Sequence, residues 1–407
     1  MSLIDTPNAN RIHITLFGKR NSGKSSLINA LTGQDAALVS DIPGTTTDPV
    51  SKAMEIHGIG PCLFTDTPGF DDEGELGKMR IEQTRKAMEK TDIAILLCGG
   101  DVSTGKAVQA ETDLTEEIRW LEQLKSRKIP TVLLINKADI RKDSEMLAAK
   151  MKEISGDTPV PVSAKERTGM ELIRRAILEK LPPDFGQQSI TGKLAGENDL
   201  VLLVMPQDIQ APKGRLILPQ VQTLRELLDK KCLVVTCTTD KMPEMLKALS
   251  RPPQLIITDS QAFKTVYEQK PKESRLTSFS VLFAGYKGDI HYYVKSASAI
   301  DTLTETSRVL IAEACTHVPL SEDIGRVKLP RLLRKRVGGH LQIDIVNGAD
   351  FPQDLTPYSL VIHCGACMFN RKHVLSRIER AQKQNIPMTN YGIAIAFLNG
   401  ILELIEY

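Results

Sequence analysis

Gly18-Lys-Arg-Asn-Ser-Gly-Lys-Ser25 constrains this chain more than any other stretch. It fits G-x-x-x-x-G-K-[ST] and lies between the apolar strand pattern "IHITLF" and an amphipathic helical pattern. Gly18 and Gly23 let backbone N–H groups close around phosphates at a helix N-terminus, where the dipole favours anions. Lys24 is then expected to reach the β and γ phosphates and Ser25 to ligate Mg²⁺, with Asn21, Ser22 and Ser26 completing the loop. The alternation that follows, "CLFTDT", a helix around Met79 to Glu89, "IAILLC", a helix from Thr112 and "TVLLIN", predicts a parallel sheet with helices on both faces.

The order of further motifs sharpens this site. "DTPG" (Asp66 to Gly69) follows a strand pattern, so Asp66 can hold Mg²⁺ through water while the Gly69 amide meets the γ-phosphate. "NKAD" (Asn136 to Asp139) and "SAK" (Ser163, Ala164, Lys165) follow two more strands. Asp139 can accept both hydrogens of a guanine N1–H and N2 amino edge, a pair adenine does not offer. Asn136, Lys137 and the Ala164 amide complete the base pocket. In "GTTTD" Thr46 is the expected switch ligand of Mg²⁺, with Thr45 the near alternative. Phe70 stands where many such sites carry a water-orienting glutamine, and a phenyl ring cannot orient water by hydrogen bonding.

At 407 residues the chain exceeds one compact core. The βα rhythm closes near Leu181, and "LPPDFGQQSITGK" reads as a linker. A second small α/β unit runs from "DLVLLVMP" through "CLVVTC" to "QLIITD", and "EQKPKESR" marks the next boundary. The third unit spans "SFSVLFAGY", "HLQIDIVNG" and "SLVIHC" to an apolar helix, "GIAIAFLNGILELI". The expected domains are therefore 1–182, 183–270 and 271–407. No fixed-period sequence repeat is visible.

The third unit carries Cys315-Thr-His317 and, after forty-five intervening residues, His363-Cys364-Gly-Ala-Cys367. Cys315 closes an apolar run, "RVLIAEAC", read as helical, and Cys364 follows a strand pattern. Three thiolates and two imidazoles leave several chemistries open. A closed Cys₃His zinc site is one, a redox dithiol at Cys364 and Cys367 another, and an iron–sulfur cluster with one weakly ligated iron a third. Cys315 as a small core residue beside surface histidines is the fourth. Cys62, Cys98, Cys232 and Cys237 read as core residues.

Roughly the first 170 residues resemble the translation-factor-related small GTPases, in the TrmE-Era-EngA branch that includes tRNA-modification and ribosome-assembly proteins. That resemblance implies hydrolysis of GTP to GDP assisted by K⁺, coordinated in part by Asn21, with Glu73 or Glu75 as a second, acidic helper. Taken with "APKGRLILPQVQTLRELLD", "AGYKGD" and the C-x-H…H-C-x-x-C set, the whole chain resembles the HydF family, the GTPases among the [FeFe]-hydrogenase maturation proteins. The resemblance implies a GTPase domain, a homodimerisation domain and a domain binding a [4Fe–4S] cluster through Cys315, Cys364 and Cys367. His317, His363 and Glu313 stand beside it as further candidate ligands. It also implies a scaffold that receives a diiron subcluster precursor from two radical-SAM enzymes and passes it to apo-[FeFe]-hydrogenase. An RNA-associated GTPase with a structural zinc site is the competing class.

Composition narrows the partners. A net charge of +2 exerts no general pull on nucleic acid, and the basic run Gly325 to His340 has no interleaved aromatic residues for base stacking. The longest apolar runs are strand-sized, and the N-terminus lacks an apolar signal core. A cytoplasmic protein with no membrane contact is expected.

Overall fold

The computed structural model describes residues 6–33, 50–69, 74–99, 113–182, 188–206, 217–314, 324–348 and 350–407. It divides into two compact units, Met1–Phe185 and Gly186–Tyr407.

The first unit contains β1 (Ile12–Gly18), α1 (Lys24–Thr32), β2 (Ser51–Ile56), β3 (Gly60–Asp66), α2 (Gly74–Glu89), β4 (Ile93–Leu97) and α3 (Thr115–Ser126). It continues with β5 (Thr131–Ile135), α4 (Ser144–Ser155), β6 (Val160–Pro161) and α5 (Met170–Glu179). The sheet order is β2-β3-β1-β4-β5-β6, parallel except for the antiparallel edge strand β2. Continuous apolar runs such as "IAILL" and "TVLLI" are buried throughout, as strands covered on both faces require. Ile14, Leu16 and Phe64 face one core, and Phe17, Leu96 and Trp120 the other.

The second unit contains β7 (Leu200–Val204), α6 (Leu218–Asp229), β8 (Leu233–Cys237), α7 (Met242–Ala248), β9 (Leu255–Thr258), α8 (Phe263–Gln269), β10 (Arg275–Ser278), α9 (Phe279–Lys287) and α10 (Ile290–Ala297). Then follow β11 (Arg308–Glu313), α11 (Leu329–Val337), β12 (Gln342–Asn347), β13 (Leu360–His363), α12 (Arg371–Lys383), β14 (Met388–Asn390) and α13 (Tyr391–Leu398). These strands form two four-stranded parallel sheets, ordered β10-β9-β7-β8 and β12-β11-β13-β14. The first sheet includes β10, so it extends past residue 270.

Read from the same end, the two orders are identical, and register makes β7, β8, β9 and β10 the counterparts of β11, β12, β13 and β14. Leu202 faces Ile256 as Leu310 faces Val361, and Ile256 faces Leu276 as Val361 faces Met388. All six lie in one apolar cluster, joined by the counterparts Val281 and Ile393 and by Ala284 and Ala396. Ser278 and Asn390, each ending its last strand, cap the following helix by accepting from the N–H of Val281 and Ile393. At the crossing of α9 and α13 a Cβ on Gly392 would meet Ser280 Cβ at 2.8 Å, so this position needs glycine. The unit is a structural duplication invisible as a sequence repeat.

Two sequence expectations change. "RVLIAE" is not helical but the central strand β11, because six residues with a fully buried middle suit a parallel sheet. "FSVLFAGY" is helix α9, and the C-terminal apolar helix stops at Leu398 before a turn at Gly400 with φ +67°. Among the described residues no helix is long and apolar enough to cross a membrane.

Candidate functional sites

The nucleotide site forms where the first sheet reverses direction. β1 is central, with β3 on one side and β4 on the other, and such a switch point leaves a crevice at the strands' carboxyl ends. The loop after β1 turns through Asn21 (φ +57°) and Gly23 (φ +91°) into α1. Lys24 is buried, and its Nζ donates to the Gly18 and Lys19 carbonyls at 2.9 Å each. The loop bounds a cavity of about 570 Å³ lined by Asn21, Gly23, Lys24, Ser25, Asp66 and Lys137 among others; Ser26 and Gly69 also reach it.

Ser25 Oγ donates to Asp66 Oδ2, and burial pushes the Asp66 carboxyl above its ordinary value despite Ser25 and Lys24. Asp66 Oδ1 is buried with no hydrogen-bond partner among the described residues. A hydroxyl beside a buried, under-coordinated carboxylate is the donor set that a hard divalent cation takes, so these residues fit Mg²⁺.

Asn136 joins three loops. Its Nδ2 donates to the Ser22 carbonyl at 3.0 Å, and its Oδ1 accepts from the Ala164 N–H at 3.1 Å. A Cβ on Gly23 would lie 2.3 Å from that Nδ2. Ser163 is buried, paired with Thr168 through the backbone, and its Oγ accepts from the Glu166 N–H. Lys137 holds φ +62°, while Asp139 and Lys165 are exposed. Thr45, Thr46, Phe70 and Glu73 lie outside the described residues, and Glu75 is on α2. Sequence reading missed Glu117. Its carboxylate has no exposed side-chain surface and pairs with Lys19 at 2.9 Å; the two are 98 positions apart, and no local signal joins them.

The cysteine site occupies the equivalent place in the last sheet. β11 is flanked by β12 and β13, and Cys364 follows β13 while Cys315 follows β11 by two residues. Cys315 and His317 lie outside the described residues. Cys364 Sγ accepts from the Ala314 N–H at 3.0 Å and the Ala366 N–H at 3.4 Å. Ala366 holds φ +52°, the left-handed turn that aims successive amides at an anion. Burial pushes the Cys364 thiol up to about 11, and those two amides oppose the rise. A thiolate so cradled, with Cys367 half-buried three residues on and Ala314 bonded to it one residue before Cys315, fits thiolate ligation of a soft metal or cluster.

His363 is fully buried, with Nδ1 2.8 Å from the Cys364 carbonyl and Nε2 3.0 Å from Arg377 Nη1. Burial and the Arg377 charge push its value down to about 3, so it is neutral. Glu313 is held by Arg326 at 3.1 Å and by the Tyr391 hydroxyl at 3.4 Å. Among the described residues no group of three metal-binding side chains converges.

Residues 190–288 match the hydrogen maturase F dimerization domain, and residues 291–405 match the hydrogen maturase F tetramerization domain. Together these models cover more than half of the chain's 407 residues. The chain belongs to the hydrogen maturase F family.

Residues 13–137 also match the model described as a 50S ribosome-binding GTPase, so the chain carries a GTPase domain. That domain is 34% identical over 171 residues to the tRNA modification GTPase MnmE of Chromobacterium violaceum, a match covering 42% of this chain and 35% of that protein. It is 37% identical over 176 residues to GTPase Der of Wolinella succinogenes, covering 41% and 35%. The chain thus spans about a third of the length of these curated relatives. Among solved structures, Aquifex aeolicus Era bound to GDP and aluminium fluoride aligns at 18% identity with a TM-score of 0.34, over 58% of this chain and 98% of that one. The two hydrogen maturase F models coincide closely with the two halves of the duplication, 190–288 with β7 to α9 and 291–405 with α10 to α13.

Proposed function

We propose that this protein is a GTP-hydrolysing scaffold that binds a [4Fe–4S] cluster through Cys315, Cys364 and Cys367. In this reading it carries a diiron subcluster precursor, made by two radical-SAM enzymes, to apo-[FeFe]-hydrogenase. The observation that supports it best is the pair of backbone N–H groups on Cys364 Sγ at the switch point of a sheet from the hydrogen maturase F tetramerization domain. Three thiolates leave one iron of a cluster open to exchange, which suits a carrier better than a closed structural zinc site.

In the GTPase domain the amides at the start of α1 cradle the phosphates. Lys24 exchanges its loop carbonyls for β and γ oxygens. Ser25 and Asp66 hold Mg²⁺, joined by Thr46 or Thr45. Bound there, Mg²⁺ neutralises charge that develops on the β and γ oxygens. Asp139 accepts the guanine N1–H and amino group, the Ala164 amide donates toward the base, and Lys137 covers its face. With no glutamine after Gly69, hydrolysis is slow and K⁺-stimulated through Asn21. GTP state then acts as a switch on partner contacts rather than on cluster chemistry.

The similarity of the first domain to a tRNA modification GTPase supports the rival reading, an RNA-associated GTPase with structural zinc. Metal analysis and electron paramagnetic resonance on anaerobically reconstituted protein separate the two. Wild type should be brown and cluster-loaded, and Cys315→Ser, Cys364→Ser and Cys367→Ser should each lose the signal while hydrolysing GTP normally. A colourless wild type with stoichiometric zinc would overturn the proposal.

A further inference from the structure

The basic run that the nucleotide and cysteine sites leave unused has a defined place in the fold. Gly325 to His340 holds six Lys or Arg and no Asp or Glu, in a chain whose 52 Lys and Arg nearly balance 50 Asp and Glu. A π-helical turn, Ile324–Lys328, runs directly into α11. Leu329 and Leu333 are buried in the core that β11 and β13 supply through Val309, Ile311, Leu360 and Ile362. Gly325 is buried as well, and a Cβ there would overlap the Tyr391 hydroxyl and the Glu313 carboxylate. Arg326 bridges Glu313 of β11 and Asn347 of β12 at 3.1 Å each. One side of the helical run is thereby fixed to the last sheet.

The other side faces outward. Arg331, Arg334 and Lys335 are spaced i, i+3 and i+4, neighbours on one face, and all three are exposed. None of their side chains forms an ion pair or hydrogen bond among the described residues, whereas Arg336 beside them is held by Asp301. Like charges at these spacings work against the helix. The helix dipole favours cations only in the last turn, which accounts for Arg334 and Lys335 but not for Arg331. The fold itself does not need this face. In the turns before Arg331, Ile324 and Val327 are exposed at 42% and 46%.

We propose that this face, from Ile324 to Lys335, docks a protein partner that presents carboxylates around a small apolar recess, and that the partner is apo-[FeFe]-hydrogenase. This rests on the maturation reading above, in which the recipient of the cargo must meet this chain directly. Guanidinium forks match carboxylates in bidentate pairs, and an apolar centre with a polar, arginine-rich border is the composition of a protein interface. Nucleic acid fits less well, because no aromatic side chain lies between the cations to stack on bases. A lipid surface also fits less well, since the apolar stripe of α11, Leu329 and Leu333, is buried in the core. A helix already anchored on one side meets its partner without reordering, so charge acts mainly on the rate of encounter.

The test measures binding of the full-length protein to purified apo-[FeFe]-hydrogenase at low and high salt. Wild type is compared with the triple variant R331S/R334S/K335S and with the double variant R331K/R334K. The expected result is affinity roughly tenfold weaker in the triple variant, from slower association and with a shallower salt dependence. The double variant, which keeps the charge, should stay within about threefold of wild type. GTP hydrolysis and the melting curve should not change in either. A carbodiimide, which joins amines to carboxylates in contact, should link Lys328 or Lys335 of the wild type to Asp or Glu of the hydrogenase, a readout that no folding defect mimics. A triple variant with an altered oligomeric state overturns the proposal and assigns the face to a second copy. One that loses binding to bulk tRNA while keeping the hydrogenase overturns it in favour of RNA. A wild type that binds no apo-hydrogenase overturns this inference and the maturation reading together; a wild type that binds beside an equally tight triple variant overturns this inference alone.

Discussion

Lys19, in the phosphate-binding loop, is paired at 2.9 Å with Glu117 of α3, a carboxylate with no exposed side-chain surface. The same carboxylate accepts from the Gly99 N–H at 3.2 Å, and burial pushes it above the ordinary range while Lys19 opposes the rise. Three segments of the nucleotide domain therefore meet at one buried charge pair. Replacing Glu117 with Ala leaves Lys19 without its partner, and removing one member of a buried pair costs about 3 kcal/mol. The expected outcome is a lowered unfolding midpoint of the GTPase domain and a raised KM for GTP with a smaller change in kcat. Unchanged KM would show that the pair does not shape the loop.

Asp139 is exposed, three residues past the Asn136 that ties "NKAD" to Ser22 and Ala164. Exchanging it for Asn removes two charge-assisted hydrogen bonds to guanine, each worth about 1.5 to 2 kcal/mol, so GTP affinity should fall by a factor on the order of several hundred. The same variant presents a donor and an acceptor that match xanthine. Competition binding with xanthosine triphosphate checks it: a variant that gains no preference for xanthine speaks against base recognition by Asp139.

Asn21 sits at φ +57° on the loop edge of the cavity. Hydrolysis measured in potassium and in sodium salts at equal ionic strength should be several-fold faster in potassium, and Asn21→Ala should erase the difference. Equal wild-type rates in the two salts would end the potassium assignment.

Glu226 of α6 accepts from the Ile190 and Thr191 amides and from the Ser189 and Thr191 hydroxyls. Burial alone would raise its carboxyl, but these donors hold it below the ordinary value. A carboxylate lowered by folding adds stability above its unfolded value of about 4.3, and that stability is lost as pH falls through the lower folded value. Glu226→Gln should therefore cost about 2 kcal/mol at neutral pH. Denaturant unfolding should show the gap to wild type closing as pH falls below about 4. A gap independent of pH would show that charge on Glu226 does not matter.

The nucleotide site was legible because its chemistry is written in short contiguous motifs, each at the end of a strand. In the structure Lys24 Nζ donates to the Gly18 carbonyl and the Ala164 amide donates to Asn136 Oδ1. The partnership of Lys19 and Glu117 was not legible, since nothing near either residue points to the other. "RVLIAE" misled because a short apolar run carries no period that separates a buried strand from a buried helix. Arg377 was hidden for a different reason: in "RKHVLSRIERAQK" it is one cation among several, and only the fold shows that it alone points inward between Phe351 and Phe369. The duplication escaped notice because counterparts such as Val204 and Ala312 share apolar character rather than identity.

One apolar cluster, running from Leu202 to Ile405, belongs to both halves of the second unit. A block built around a single core melts as one cooperative body, so order in the cysteine turn is underwritten by side chains in the sheet of β7 to β10. In the cluster reading proposed above, cavity-forming changes at Ile256 or Leu276 should then lower metal retention as surely as a change near Cys364, and thermal release of metal should track the loss of the distant sheet rather than precede it.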